Sequence, residues 1–198
     1  MSTSRSPYHH GDLRAACLRA AMELLEEGGT TALSLRAVAR RAGVSPAAPY
    51  RHYADRDALI SAVAAVGYRE LAEQLAAAHP SPSSADDFAA IAVGYVQFAL
   101  QRPALFRVMF GEPCDRDNSE RVAATTAISE YVGAIVRQSF PGSNAEALST
   151  AAWALVHGLA FLHLDGKLDA STPDVVSDRV RAAVHALLTV SRCRQCLT

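Results

Sequence analysis

The chain has 198 residues, half of them hydrophobic and a fifth charged, which provides for a packed core and excludes an intrinsically disordered polypeptide. The net charge of −1 does not exclude a nucleic-acid partner, because the charge is unevenly placed: residues 1–60 hold eight Arg against six acidic residues, and the remainder is net negative. Four cysteines (Cys17, Cys114, Cys193 and Cys196) are too few and too scattered for the disulfide framework of a small secreted domain.

In chain order, residues 1–9 are expected to be disordered, with His9-His10 a surface pair. From His10 to Glu27 apolar residues recur at three- and four-residue spacing, with Leu13, Cys17, Ala20, Ala21, Leu24 and Leu25 on one face, as an amphipathic helix requires. Gly28-Gly29 ends it. Ser34 offers an N-cap to a short second helix whose apolar face is Leu35, Val38, Ala39 and Ala42, and Gly43 stops it. Ser45, followed by Pro46 at the favoured first position, predicts a third helix. Asp55 caps a long fourth one over Arg56–Ala78.

The run His79-Pro-Ser-Pro-Ser-Ser84 is a loop. Helices then fit 85–101, 104–110, 119–139, 144–164 and 173–190, separated by Gly- and Pro-containing turns at 111–113 and 141–142. The sum is about nine helices and no strand, an all-α fold. The expected organisation is a head over 10–55, a helical body over 56–190 and a tail over 191–198. Cys193 and Cys196 form a CxxC without the further ligands that zinc needs, so no metal or cofactor is expected. No signal-peptide pattern precedes the first helix. The longest apolar stretch, Ala151–Leu164, contains two His and is shorter than a bilayer crossing, so a cytoplasmic protein without a membrane partner is expected.

The segment from Ser34 to Tyr53 suits two short helices crossing through a tight turn. Ala39 is small where they approach, Gly43 can take positive φ, Val44 fills the gap between them, and Ser45 can satisfy amides at the start of the second. Arg36, Arg40, Arg41 and Arg51 stand here with no acidic residue between Ser34 and Ala54. An arginine cluster by itself is ordinarily a solvated helix face, but in a helix-turn-helix it is also what phosphates need.

Gly43-Val44-Ser45 four residues after Ala39, then Tyr50-x-x-Tyr53 and Arg56-Asp57-x-Leu59, resembles the tetracycline-repressor (TetR) family over about residues 10–60. The resemblance implies a three-helix DNA-binding head on a ligand-binding and dimerisation domain. It implies DNA contacts at Ser34, Arg36, Ser45, Ala47, Ala48, Tyr50, Arg51, His52 and Arg56, with Tyr50 and Arg56 on phosphate. Arg51 has the fork that reads guanine, His52 reads equally as a surface residue, and Tyr53 belongs to the core. Pro49 departs from the pattern, which has Leu or Ile there. It lacks an amide donor and disfavours helix at Ala48, so the start and tilt of the third helix are affected.

Trp153-x3-His157-Gly158-x2-Phe161 resembles the Trp…His-Gly stretch of one TetR C-terminal subfamily. A pocket for a small apolar or aromatic effector could be lined by Tyr95, Phe98, Phe106, Met109, Phe110, Tyr131, Trp153, His157 and Phe161, although aromatics at helical spacing are more often plain core. Gly158, Leu162, Val180, Ala183, Val184 and Leu187 are the expected contacts of a homodimer. Together these readings predict a repressor bound to a palindromic double-stranded operator and released by its effector. A helical protein-binding adaptor is the alternative. An all-α enzyme is the remaining class, disfavoured because no GxSxG, HExxH, Walker or Rossmann pattern occurs.

Overall fold

The computed structural model describes residues 13–111, 118–140 and 144–195. The expectations for residues 1–9, for His9-His10, for Cys114 and for the Cys193 and Cys196 thiols lie outside what it describes.

Among the described residues there are eight α-helices and no strand. The helices are α1 (Leu13–Gly28), α2 (Leu35–Arg41), α3 (Arg56–Ala78), α4 (Ala85–Gln101), α5 (Pro103–Gly111), α6 (Ser119–Ser139), α7 (Ala145–Leu164) and α8 (Pro173–Gln195). Two single 3-10 turns, Thr30–Ala32 and Pro49–Arg51, lie within the head. Their starts follow the side chains that satisfy orphan amides. Ser34 accepts from the Ala37 amide, Asp55 from Ala58 and Asn144 from Ala147. Ser84 and Asp87 form a reciprocal capping box at the start of α4.

The third helix of the head is the one that does not form as expected. Residues 46–48 are turn and bend, and Pro49–Arg51 is 3-10 rather than α. The cause is local. Pro49 has no N–H to give the Ser45 carbonyl, so the Ala48 amide takes that carbonyl at 2.9 Å in a three-residue closure. Arg51 and His52 continue the same pattern on Ala48 and Pro49. Eight α-helices rather than nine follow from one imino acid.

α3 runs from the head into the body and is the axis of the fold. Leu59, Ile60, Val63, Leu71 and Leu75 are buried along it, while Val66 is only half-buried. Gly67 lets α5 come close: a Cβ there would stand 2.6 Å from the Met109 sulfur. Beside it, the Tyr68 hydroxyl donates to the Met109 carbonyl at 2.6 Å. The body closes with α4 packed on α7 and α8, and α6 on α3 and α7.

α8 continues to Gln195, into the segment expected to be a tail. α7 is 20 residues long, and by length and composition alone it could cross a membrane, although its apolar stretch was expected to be too short. Core helices of water-soluble bundles have the same composition, and α7 packs against α4, α6 and α8.

Candidate nucleic-acid interface and ligand cleft

The head is built on α1. Cys17, Ala20, Ala21, Leu24 and Leu25 form its buried face, against which Leu33, Leu35, Val38 and Tyr53 pack. α2 ends as the glycine predicted. Gly43 takes φ of +67°, its amide donates to Arg40, and the Val44 amide reaches back to the Ala39 carbonyl at 3.0 Å. This is a Schellman closure, and Ala39 is fully packed beneath it.

The chain then presents its short reading turn. Tyr50 is 53% exposed, and Ala47, Arg51 and His52 are exposed beside it. Tyr53 points the other way, 3% exposed, with its hydroxyl 3.4 Å from the Arg14 carbonyl. Ala48, expected at the DNA, does not share the outer surface: it is 8% exposed and buried beside Pro49. Ser45 is exposed, and its carbonyl holds the turn.

The basic residues divide into two groups. Arg41 is occupied: it lies 2.5 Å from Glu27 and 3.2 Å from Glu23 on α1, and this contact holds the Glu27 carboxyl below its usual range. Arg36, Arg40 and Arg51 are exposed and have no carboxylate partner among the described residues. Arg56 is in a third situation. Its Nε donates to the Leu33 carbonyl at 3.0 Å and a terminal nitrogen to the Thr30 carbonyl at 2.7 Å, which ties the start of α3 to the α1–α2 connection. A lysine there would have a single nitrogen to share between two carbonyls.

In the body, the predicted pocket residues separate. Tyr95, Phe98, Phe106 and Met109 are buried core. Tyr95, Phe106, Phe110, His157 and Phe161 stack as one aromatic cluster with centroids 4.7–6.2 Å apart. The Tyr95 hydroxyl lies 3.1 Å from His157 Nδ1. Burial holds the Tyr95 phenol well above its ordinary pKa, and a hydrogen bond from Trp153 partly offsets this. Burial also depresses His157, so its ring is neutral. Tyr131 is used otherwise, its hydroxyl donating to the Leu75 carbonyl at 3.3 Å.

The open space lies to one side of this cluster. A cleft of about 200 Å³ is bounded by Tyr68, Phe110 and Trp153 together with residues of α6 and α7, and a second space of about 40 Å³ shares Ile128, Val132 and Trp153 with it and is also lined by Tyr95. Of the nine predicted lining residues, Phe110, Trp153 and Tyr95 line these spaces. Phe98, Phe106, Met109, Tyr131, His157 and Phe161 do not. Sequence reasoning missed Thr125, Ile128, Ser129, Val132, Ser149 and Thr150, because hydroxyl and aliphatic residues on a helix carry no mark of which groove they line.

The expected dimer residues also separate. Val180 and Val184 are fully buried, in line with Val176 and Leu188 on the face of α8 that packs against this chain's own α4, so they are core and not interface. Leu162 is exposed, and Gly158, Ala183 and Leu187 are partly so.

A helix-turn-helix head that exposes Tyr50, Arg51 and His52, mounted on an all-α body with an apolar cleft, is the architecture of a DNA-binding regulator. The model for bacterial regulatory proteins of the tetR family matches residues 18–63, and the tetracyclin repressor-like C-terminal domain matches 88–187. The chain belongs to the TetR family of DNA-binding transcriptional regulators.

Among solved structures, a Rhodococcus sp. RHA1 protein described as having unknown function is 36% identical, with a TM-score of 0.78 over 92% of this chain and 98% of that one. A bacterial regulatory protein of the tetR family from Rhodococcus RHA1 shares the fold, at 20% identity and a TM-score of 0.66 over 89% of this chain and 97% of that one. The HTH-type transcriptional regulators Mb1846 of Mycobacterium bovis and Rv1816 of Mycobacterium tuberculosis are each 34% identical over 92 residues, 45% of this chain. Those matches span 39% of the two regulators' own length.

Proposed function

We propose that this protein binds a palindromic double-stranded operator as a homodimer, represses transcription there, and leaves the DNA when a small, mostly apolar effector enters the body. The observation that carries this reading is the exposed turn Tyr50-Arg51-His52, with Arg36, Arg40 and Arg51 free of carboxylates among the described residues. Cations held on a rigid scaffold and left unneutralised suit phosphate oxygens, and Arg51 has the fork for a guanine edge. Ser34, Ser45, Ala47, Tyr50 and His52 complete the proposed contact surface. Arg56 has fewer donors to offer a phosphate, since two already serve backbone carbonyls.

One short turn meets few base pairs, so the reading needs two heads related by a two-fold axis. Leu162 and Gly158 of α7, with Ala183 and Leu187 of α8, are the proposed contacts between subunits. Work on the chromosome places the protein in the cytoplasm, with no enzymatic activity in the proposal.

The test is selection of bound fragments from a random DNA pool, followed by gel shifts across a salt series. A recovered palindrome whose affinity falls steeply with salt is the expected result. No binding to any DNA at low salt overturns the reading and favours a protein-binding adaptor.

A further inference from the structure

The cleft between α3, α6 and α7 is lined by two distinct chemistries. The smaller space, which shares Ile128, Val132 and Trp153 with the larger, meets aliphatic and aromatic side chains, and among the described residues no charged side chain lines either one. The larger space carries hydroxyls. Two of them, Thr125 and Ser149, are half-buried and have their protons already placed. Thr125 donates to the Arg121 carbonyl one turn back, and Ser149 donates to the Ala145 carbonyl at 2.6 Å. What these two oxygens have left to offer an occupant is lone pairs.

An occupant that bonds to these two oxygens brings the proton, while the exposed Ser129 and Thr150 hydroxyls beside them can donate as well as accept. The occupant must also be uncharged. Among the described residues of the lining a carboxylate or phosphate would meet no cation, and an ammonium would lose its water with no carboxylate to replace it. Resting on the reading of the body as a sensor, we infer that the effector is a neutral phenol or alcohol. Its apolar body lies against Trp153, Ile128 and Val132, and its hydroxyl proton goes to Ser149 or Thr125.

Trp153 is the only tryptophan of the chain and borders both spaces, so its fluorescence reports occupancy directly. The experiment titrates the full-length protein with four probes of one body: 4-propylphenol, 4-propylanisole, 4-propylbenzoate and 4-propylbenzylamine. The phenol should shift Trp153 emission saturably. The methyl ether, which lacks the proton, should bind about tenfold more weakly, as loss of one neutral hydrogen bond allows, and the two ions should not saturate. In the Thr125→Val/Ser149→Ala protein the preference for phenol over ether should vanish while the ether's own affinity stays, which loss of folding would not produce.

Equal or tighter binding of the ether or of either ion overturns the inference, as does failure of all four probes. An emission change that follows protein concentration and dimerisation, with no probe competing, also overturns it by giving the cleft to a second copy of the chain. Phenol binding with unchanged DNA affinity would instead count against the sensor reading and leave the ligand class standing.

Discussion

Arg102, the residue that ends α4, lies 2.7 Å from Glu26 near the end of α1. The same guanidinium reaches Glu70 of α3 at 3.0 Å, so a body residue holds the head at the point where α1 and α3 meet. Arg14 of α1 pairs with Glu120 at the start of α6 on another contact between the two parts. Reading turn and cleft are thus joined by packed helices and by ion pairs at the seam.

A double-mutant cycle on Arg102→Ala and Glu26→Ala should give a coupling of about 0.2–1 kcal/mol in urea unfolding, the range of partly exposed pairs. Both single variants should keep DNA binding and show a smaller loss of DNA affinity on effector addition. A coupling of zero with an unchanged effector response would mean that the pair is incidental.

Pro49→Leu should restore an amide to the Ser45 carbonyl and extend α-helix through residues 46–52. Far-UV circular dichroism should gain helical signal, and the new residue-49 amide should resist hydrogen exchange. Operator preference should change together with the helix. An unprotected amide would show that tertiary packing, rather than the proline, sets the 3-10 turn.

Gly43→Ala forces an L-residue to φ of +67° in the closure after α2. The expected cost is roughly 1–2 kcal/mol of stability, from the clash of Cβ in the left-handed region. It is read as a lower urea midpoint at constant slope.

Arg51→Ala should weaken DNA binding, reduce the salt slope by about one and relax preference at one base pair. Arg36→Ala and Tyr50→Phe should weaken binding on all sequences alike. Arg41→Ala is the matched control, since Glu23 and Glu27 already neutralise that cation. It should leave the salt slope nearly as it was, and an equal loss for Arg41 and Arg51 would contradict the division drawn between them.

Acid should destabilise the body through its histidines. His157 and His163 both have pKa values depressed below 6.5 by burial, and in His163 the Arg179 charge adds to this while Asp169 opposes it. The unfolded chain therefore binds more protons than the folded one just below pH 6.5. Stability is complete above that value and falls as pH drops toward the depressed values. Melting temperature should decline from pH 7 to 5, and His157→Gln should flatten part of that decline.

Much of this protein was determined by local sequence. Helix starts follow from Ser34, Asp55, Ser84 and Asn144, whose side chains need only their own neighbouring amides. Gly43 marks the turn because its backbone freedom is its own, and the Ala39-to-Leu59 spacing identifies the head. Pro49 also carried its consequence locally, since the missing amide is a property of one residue, although the extent of the break depended on how Ser45, Ala48 and Arg51 rearranged around it.

What tertiary structure decided is which neighbour each side chain meets. The sequence distinguishes Arg41 from Arg36 only once α1 brings Glu23 and Glu27 alongside. Val180 and Val184 could line a subunit contact or a core, and their burial against α4 makes them core. The aromatic residues that looked like a pocket fill one another's space, while the open cleft is lined by Thr125, Ser149 and Ile128, which periodicity cannot single out. The helix-turn-helix was legible because its geometry closes within about twenty residues. The cleft was not, because it exists only between helices whose separation no local pattern records.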